Sequence, residues 1–255
     1  MIDALYIAAS GLQGSQTQID TISNNLANMQ TPGFKQSHVN FANVAALSPA
    51  QAQQGVSSDG RGAGIEVLDT RAVFTEGALI QSGNPLDLAI QGQGFLETID
   101  AAGNHVYTRD GQLHVDSDGY LAAVGGNRLA DGIQIPPDAR ELSIGRDGRV
   151  TALLGSDTQP IELGQIQLAT FPSPEGLEQV DGNAFVPTER SGDPTLGHPQ
   201  DAGYGTIAQG MVEQSNVDMV QSMTSLVLAQ RAYQLNARVL QAADEILDTI
   251  NNLRR

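Results

Sequence analysis

The stretch from Ser23 to Lys35 reads SNNLANMQTPGFK and marks the end of a predicted helix. Pro32 disfavours helical geometry at Thr31, and Gly33 can adopt the positive φ angle of a turn. The Asn side chains before it can hydrogen-bond the exposed backbone at the helix end. We therefore predict a helix over about residues 1–30, followed by a sharp turn. The turn is expected to depend on Asn24, Asn25, Asn28, Thr31, Pro32, Gly33 and Phe34.

An apolar seam runs along the predicted helix before this turn. Leu or Ile recurs at intervals of seven, and Ile22 occupies one of the companion positions between them. This heptad pattern is typical of a helix that packs lengthwise on another helix. The residues of the N-terminal helix that we expect to pack between subunits are Leu5, Leu12, Ile19, Ile22 and Leu26.

A second long helix is predicted over about residues 216–253, at the other end of the chain. Asn216 has the side chain of an N-cap, and Asp218 in the first turn would complement the helix dipole. Two apolar stripes together cover roughly half of the helix circumference, which is a wider face than one partner helix needs. The residues of this face that we expect to pack between subunits are Leu228, Ala232, Leu235, Val239, Leu240, Ile246 and Leu247.

The middle of the chain, residues 67–210, lacks helical periodicity. It consists of short alternating or apolar runs, such as Leu86–Ile90 and Arg149–Leu154, separated by turn residues. An Asp-Gly pair between apolar runs is a strong signal for a β-hairpin. The pairs are Asp110-Gly111, Asp118-Gly119, Asp131-Gly132, Asp147-Gly148 and Asp181-Gly182. We predict an all-β, mostly antiparallel domain.

The predicted fold class is therefore α+β. Long N- and C-terminal axial helices form a coiled-coil-like core, and the middle forms the β-domain. The stretch 43–66, rich in Ala, Gln, Ser and Gly, is typical of an extended linker or long loop. The predicted parts are the N-terminal helix and turn (1–42), the linker (43–66), the β-domain (67–210) and the C-terminal helix (211–255).

Both helices carry apolar surface that must be buried somewhere. It can be buried within one chain, if the two termini pair and lie on the β-domain. It can also be buried between copies of the chain, and head-to-tail contacts that do not close give a helical filament. Periodicity alone leaves both arrangements open.

Composition excludes several classes of protein. The 255 residues carry a formal net charge of -16, which disfavours nucleic acid and anionic membranes as partners. The absence of Cys excludes disulfides, thiol nucleophiles and thiolate metal sites. The N-terminus lacks the basic and apolar regions of a cleaved secretory signal, and no apolar run is long enough to insert in a membrane.

The stretch from Ser23 to Lys35 resembles the signature of the flagellar basal-body rod, hook and hook-associated axial proteins. The resemblance extends over essentially the whole chain and is weakest in 43–66. Within the family, Gly145–Gly148 and Gly164–Ile166 are most similar to the distal-rod type. Further matching stretches are Asn84–Phe95, Tyr107–Gly111, Gln214–Asp218 and Gln230–Tyr233, of which the second resembles a hairpin.

This resemblance implies a structural subunit of the distal rod, the rigid helical drive shaft that transmits motor torque to the hook. The implied partners are other copies of the chain, proximal rod proteins and hook protein at either end, the P- and L-ring bushing, and the export apparatus and rod cap during assembly. The implied location is the basal body across the periplasm, reached without a cleaved signal peptide. A proximal-rod or hook-type relative is the nearest alternative.

No residue is predicted to be catalytic, to bind a cofactor or to ligate a metal, and no enzyme activity is expected. The Asp116-Ser117-Asp118-Gly119 stretch lacks further calcium ligands and is better explained as a hairpin turn. With 29 acidic residues, a carboxylate pair that cleaves peptidoglycan stays open as a rival from another class. A cell-wall-binding or adhesive β-domain presented by exchangeable helices is the second rival.

Overall fold

The computed structural model describes residues 2–45, 62–155 and 159–253, which form two units. The first unit falls within Met1–Ala27, Ser37–Arg71 and Asp218–Arg255. The second comprises Asn28–Gln36 and Ala72–Val217. Neither of the two helices in the described part of the chain is long and apolar enough to cross a membrane.

The first unit contains two long helices and a two-stranded sheet. Helix α1 spans Ile2–Ala27 and helix α2 spans Met219–Leu253. Strand β1 (Ser37–Ala45) pairs with strand β2 (Gly62–Ala72). Helix α1 packs along α2 on one side and contacts β1 on another. The predicted helices at the two ends of the chain are therefore confirmed.

Both helices are shorter than predicted at the ends that lie toward the middle of the chain. Helix α1 ends at Ala27 because the turn begins before Pro32. Helix α2 begins at Met219, and Asp218 is its N-cap: its Oδ1 accepts a 2.8 Å bond from Gln221 N. The prediction of Asn216 as the N-cap is wrong, since its side-chain amide donates to Val73 O at 2.8 Å.

The two ends of the predicted linker 43–66 are strand residues. Residues 43–45 belong to β1, and 62–66 belong to β2. Val44 of β1 and Ile65 of β2 line the same groove beside α1, which explains why these two ends of the stretch form strands. The rest of that linker, 46–61, lies outside the described residues.

The second unit is built from strands and contains 3₁₀ turns at Pro174–Gly176 and Asp181–Asn183. Its strands are β3 (Leu79–Gln81), β4 (Leu88–Gln91), β5 (Phe95–Ile99), β6 (His105–Thr108), β7 (Leu113–Val115), β8 (Leu121–Ala123), β9 (Arg128–Leu129), β10 (Ala139–Ile144), β11 (Arg149–Leu154), β12 (Ile161–Gln165), β13 (Leu168–Thr170), β14 (Glu178–Val180), β15 (Ala184–Val186), β16 (Thr195–Gly197), β17 (Thr206–Gln209) and β18 (Met211–Glu213).

The strand pairing of the second unit is antiparallel, as predicted. A nine-stranded sheet has the order β14-β15-β6-β5-β9-β8-β7, with β13 joining β5 and β16. A three-stranded sheet has the order β10-β11-β12. Strands β17 and β18 return from the end of the unit to pair with β4 and β3 near its beginning.

Two apolar clusters form the core of this unit. The larger one contains aliphatic side chains such as Leu96, Val150 and Leu168, each fully buried. The second is aromatic: the ring of Tyr107 meets Phe171 edge to face, with centroids 4.9 Å apart. Edge-to-face pairs of this kind stabilise a core beyond the area that they bury.

The Asp-Gly signal predicts three hairpins correctly and fails at two positions. Asp118-Gly119, Asp147-Gly148 and Asp181-Gly182 connect paired strands. Asp110-Gly111 does not, because β6 pairs with β5 and β15 rather than with β7. A Cβ at Gly111 would lie 1.7 Å from Leu88 O, so this glycine permits a close backbone approach. Asp131-Gly132 forms a turn between β9 and β10, which are unpaired with each other.

Candidate functional site: a helical face and a buried charge cluster

The predicted seam of α1 lies on the side of the helix that is covered. Ala8 and Ser15, the companion positions of the seam, are buried. Helix α1 meets α2 at close range at Gly11, where a Cβ would lie 2.8 Å from Asn236 Nδ2. The predicted packing residues Leu5, Leu12, Ile19, Ile22 and Leu26 are all half-buried.

Helix α2 has a covered face and an open face. The covered face carries Leu226, Ala229 and Leu240, at the three- and four-residue spacing of one helix side. The open face carries the other predicted stripe, in which Leu228 is 62% exposed and Leu235 is 61% exposed. Its remaining predicted members, Ala232, Val239 and Ile246, are also exposed, and the side chain of Leu247 lies outside the described residues.

Further apolar residues are exposed elsewhere on the two helices. Val220 and Met223 are exposed on α2, and Tyr6 and Ile7 are exposed on α1. Single exposed apolar residues are normal on a soluble protein, whereas an extended apolar surface marks a contact site. We call the exposed residues Leu228, Leu235, Val239 and Ile246, which share one side of α2, the open stripe; it can bury apolar area only against another molecule or another part of the chain.

The turn motif is held by side chains that bond backbone groups. Asn25 is buried and forms a reciprocal pair with Ser37: its Nδ2 donates to Ser37 O and its Oδ1 accepts from Ser37 N, both at 2.8 Å. Thr31 N donates to Asn28 O at 3.1 Å, and Thr31 Oγ1 donates to Asn28 Oδ1 at 3.2 Å. Asn24 is exposed. Asn25 therefore bonds the strand that follows the turn, and not the helix end as predicted.

Gly33 is the tightest point of this turn. Its φ is +68°, and a Cβ there would lie 2.6 Å from Asp110 N. Its own N–H donates to Glu213 O at 2.7 Å. Phe34 is buried, and Pro32 O accepts from Asn183 Nδ2 at 2.9 Å. The turn is thus fixed from both sides within the second unit.

Three buried ionic side chains meet beside the turn: Lys35, Arg109 and Glu213. We call them the charge cluster. The amine of Lys35 lies 2.5 Å from Glu213 Oε1, and Arg109 Nε lies 3.0 Å from Glu213 Oε2. Each is almost fully removed from solvent: Lys35 is 0% exposed, Arg109 4% and Glu213 1%.

The pKa of the Lys35 amine is lowered from its ordinary value, and burial is the main cause. Burial lowers the pKa of its amine, while the hydrogen bond to Glu213 and the charge of that carboxylate raise it. The nearby charge of Arg109 lowers it further. Lys35 Nζ also donates to Thr75 O at 2.8 Å, so the amine has two acceptors in the interior.

Arg109 connects the charge cluster to a glycine-rich turn. Its Nη1 donates to Gly92 O and Gly94 O at 3.0 Å each. Both glycines have positive φ angles, +106° and +138°, which orient these carbonyls toward the guanidinium. The Gly92-Gln93-Gly94 stretch is therefore a turn that binds an arginine of the same unit.

The charge cluster was not predicted from the sequence. Two of its members lie in stretches that carry the family resemblance, but Glu213 lies just outside one of them. A usable signal is that Lys35 is the single Lys of the chain. This Lys lies directly after the turn motif in a chain with 29 acidic residues. Its position therefore indicates a specific acidic partner.

The stretch Asp116–Gly119 is a hairpin turn, as predicted. Asp116 Oδ1 accepts bonds from Asp118 N at 2.8 Å and Tyr120 N at 2.9 Å, which is the pattern of an Asx turn. Arg128 pairs with both carboxylates. Within the described ranges, no three His, Asp or Glu side chains are grouped so that they could hold a metal ion.

Three family models match separate stretches of the chain. The family model for flagella basal body rod proteins matches residues 5–35, and that for the flagellar hook protein FlgE/F/G D1 domain matches 89–152. The model for the C-terminal region of the flagellar basal body rod FlgEFG proteins matches 208–253. The matched ranges include α1 with the turn, part of the β-domain, and β17 to α2.

Full-length relatives point the same way. The chain is 38% identical to the flagellar basal-body rod protein FlgG of Agrobacterium fabrum, over 97% of this chain and 98% of that protein. It is 36% identical to FlgG of Caulobacter vibrioides, over 99% and 100%, and 35% identical to FlgG of Bacillus subtilis over the whole of both chains. The chain belongs to the FlgG family of flagellar basal-body rod proteins.

Proposed function

We propose that this protein is a structural subunit of the flagellar distal rod, polymerising into the helical drive shaft that transmits motor torque to the hook. The observation that carries the proposal is the open stripe of α2 in a chain that matches FlgG rod proteins from end to end. A proximal-rod or hook-type role is less favoured, because the FlgG proteins are 35–38% identical to this chain, whereas the hook-basal body complex protein FlhP of Bacillus subtilis is 29% identical over the same length.

In this proposal the two helices are the part of each subunit that packs in the axle. The half-buried seam of α1 holds α1 against α2 within the chain. The open stripe is then left to pack between neighbouring subunits, in coiled-coil-like contacts. Repeated head-to-tail contacts that do not close generate an open helical polymer. In this proposal the covered face of α2 buries its apolar residues within the chain, and the open stripe buries its residues between copies of the chain.

We propose proximal rod proteins and hook protein as partners at the two ends of the polymer, and the P- and L-rings as the bushing around it. The export apparatus and the rod cap act during assembly. The location is the basal body across the periplasm, reached without a cleaved signal peptide. The net charge of -16 fits a protein that binds neither nucleic acid nor an anionic membrane.

The stretch 43–66 is proposed to extend along a neighbouring subunit and to stiffen the axle. Its two ends support this role, because they belong to β1 and β2, which form a ribbon beside α1. Exposed Phe41 and Leu68 on this ribbon provide apolar surface for such a contact.

We propose that the protein is not an enzyme. The FlgG relatives that align with it are named as rod proteins, and the buried carboxylate of the charge cluster is fully engaged by Lys35, Arg109 and Gly77 N. The peptidoglycan-cleaving rival predicts turnover on purified cell wall that one Asp or Glu substitution abolishes. The adhesin rival predicts that the helices can be exchanged without loss of function.

The test is deletion of the gene, followed by electron microscopy of the remaining basal bodies. We expect an axle that stops short, with no hook outside the cell, and restoration of both by the wild-type gene. Complete hooks and filaments in the deletion strain would contradict the proposal. Restoration by a chain with exchanged helices would favour the adhesin instead.

A further inference from the structure

Glu213 is the point at which four segments of the second unit meet. Its carboxylate contacts Lys35 from the turn, Arg109 from the segment after β6, and Gly77 N at 2.8 Å. Its backbone carbonyl accepts from Gly33 N at 2.7 Å. It belongs to β18, the last strand of the unit, and its nearest charged partners precede it by 178 and 104 residues. A residue from the end of the unit thus completes a site built near its beginning.

Without Glu213, Lys35 and Arg109 would lose the one carboxylate that pairs with both of them; the charge of Glu76 acts on Lys35 as the smallest of the named effects. Lys35 and Arg109 are both buried, and repulsion by the charge of Arg109 disfavours the charged form of Lys35. Leaving a buried charge without its partner is strongly unfavourable, because neither water nor a counter-ion replaces the lost contact. Any state with 33–35 and 109 in place and β18 undocked therefore has a large free-energy penalty.

The strand pairing extends this dependence to the rest of the unit. Strand β18 pairs with β3, and β17 pairs with β4 in continuous register from Thr206–Gln91 to Gln209–Leu88. Arg109 also fixes the carbonyls of Gly92 and Gly94, which lead from β4 into β5 of the large sheet. The site that needs Glu213 is thus continuous with the sheet and the core.

We propose that Glu213 makes folding of the second unit conditional on the docking of its last strands, β17 and β18. The earlier part of the unit, through β16, holds the two cations but lacks the carboxylate that neutralises one of them. It therefore does not reach the native state until residues 206–213 have docked. Glu213 supplies the last contact that the native state needs, so the unit folds only when β17 and β18 are in place.

In the proposed function the chain is exported in extended form, one end first, and the coupling then determines when the β-domain can fold. If the N-terminal end emerges first, the β-domain stays open until almost all of the unit has arrived. That consequence depends on the export route of the proposed function, whereas the coupling does not. The experiments below use the purified full-length chain and test the coupling alone.

The first experiment follows refolding of the full-length protein from denaturant by pulsed hydrogen exchange and mass spectrometry. We expect peptides from β5–β9 to gain protection no earlier than peptides from β17 and β18. Protection of β5–β9 in molecules whose β17 and β18 still exchange freely would overturn the proposal.

The second experiment measures native-state hydrogen exchange in Glu213→Gln. The variant keeps the shape of the side chain and removes its charge, and we expect exchange in β4–β9 to accelerate by roughly a hundredfold or more. Glu178→Gln, at an exposed position of β14, is the matched control for loss of one negative charge. It should change the exchange rates in β4–β9 by less than about twofold. Acceleration confined to residues 77–81 and 211–216 would overturn the proposal.

A double variant keeps the test informative if Glu213→Gln does not fold. Lys35→Met combined with Glu213→Gln removes one of the two unpaired cations at nearly constant volume. We expect the double variant to be protected more strongly in β4–β9 than Glu213→Gln alone. Equal or weaker protection would show that the buried cations are not the reason for the dependence on Glu213.

Discussion

Gly11 of α1 lies directly against the side chain of Asn236 in α2: a Cβ at Gly11 would come within 2.8 Å of Asn236 Nδ2 and 3.3 Å of its Cγ. The two helices can approach this closely because Gly11 has no side chain. A small residue at a helix contact sets the distance between the helix axes, and the half-buried Leu12 beside it packs at that distance.

We predict that Gly11→Leu destabilises the helix pair by about 1–3 kcal/mol, since the added side chain cannot be accommodated without moving α2. Gly11→Ala should be nearly neutral, because the gain in helix propensity offsets a contact that Asn236 can relieve by rotating. The measurement is denaturant unfolding followed by far-UV circular dichroism. Ala9→Leu, at an exposed position of the same helix, is the control; a loss as large as that of Gly11→Leu would contradict the role of the close approach.

Gly33 gives a second prediction, which separates backbone conformation from close packing. Gly33→Ala combines a φ of +68° with a Cβ 2.6 Å from Asp110 N, and we expect a loss of about 2–4 kcal/mol in the stability of the second unit. Gly103→Ala has a similar φ of +87° with no atom within 4 Å, and should lose only about 1 kcal/mol. Equal losses in thermal or denaturant unfolding would show that conformation alone explains the glycine.

The helices could be predicted from the sequence because their signal is local. The seam of α1 repeats every seven residues, and its members are half-buried in the structure. The wide apolar face of α2 was also visible, but not its division into two sides. Leu240 is half-buried and Leu235 is exposed, although both are Leu on one apolar face. Which stripe covers α1 depends on the three-dimensional packing, and periodicity does not report it.

The charge cluster, in contrast to the helices, could not be predicted from a local sequence pattern. Glu213 and Lys35 are 178 residues apart, and no local pattern connects them. The hairpin predicted at Asp110-Gly111 is wrong for a related reason: Gly111 permits a close approach to Leu88 O and does not form a hairpin turn. Long-range contacts use the same residue types as local turns, so composition of a short stretch cannot distinguish them.

Asp131 provides a prediction of pH dependence. Burial raises the pKa of its carboxyl to about 6 from an ordinary 3.8, and the hydrogen bond from Gln167 N opposes the shift. Between these values the folded protein keeps a proton that the unfolded chain has lost. The stability contributed by this proton is therefore complete below the unfolded pKa and is lost as the pH rises through about 6.

We accordingly expect Asp131→Asn to be more stable than the wild type at pH 7, by about 1–3 kcal/mol, and nearly equal to it at pH 3.5. The measurement is the free energy of unfolding as a function of pH for both proteins. Asp138→Asn, at an exposed position, should show no such pH-dependent difference. An Asp131→Asn curve parallel to the wild-type curve would rule out titration of Asp131 as a source of the pH dependence.

The open stripe of α2 gives the prediction that bears most directly on assembly. Leu235→Asp places a charge at an exposed position of this stripe, so the free protein should lose no more than about 0.5 kcal/mol of stability. A buried interface between subunits would not tolerate that charge. We therefore expect basal bodies without a complete rod in a deletion strain that expresses the variant, with the purified protein still folded.

Two variants on the same helix make this result interpretable. Gln234→Asp introduces the same charge at an exposed polar position, and we expect normal rods. Leu240→Asp places it on the side that is covered within the chain, and there we expect loss of folding as well as of assembly. Normal swimming and complete rods with Leu235→Asp would show that the open stripe does not lie between subunits. Unfolding of the purified Leu235→Asp protein would show that Leu235 acts within the chain, since an exposed side chain that packs only against neighbouring subunits contributes nothing to the isolated fold.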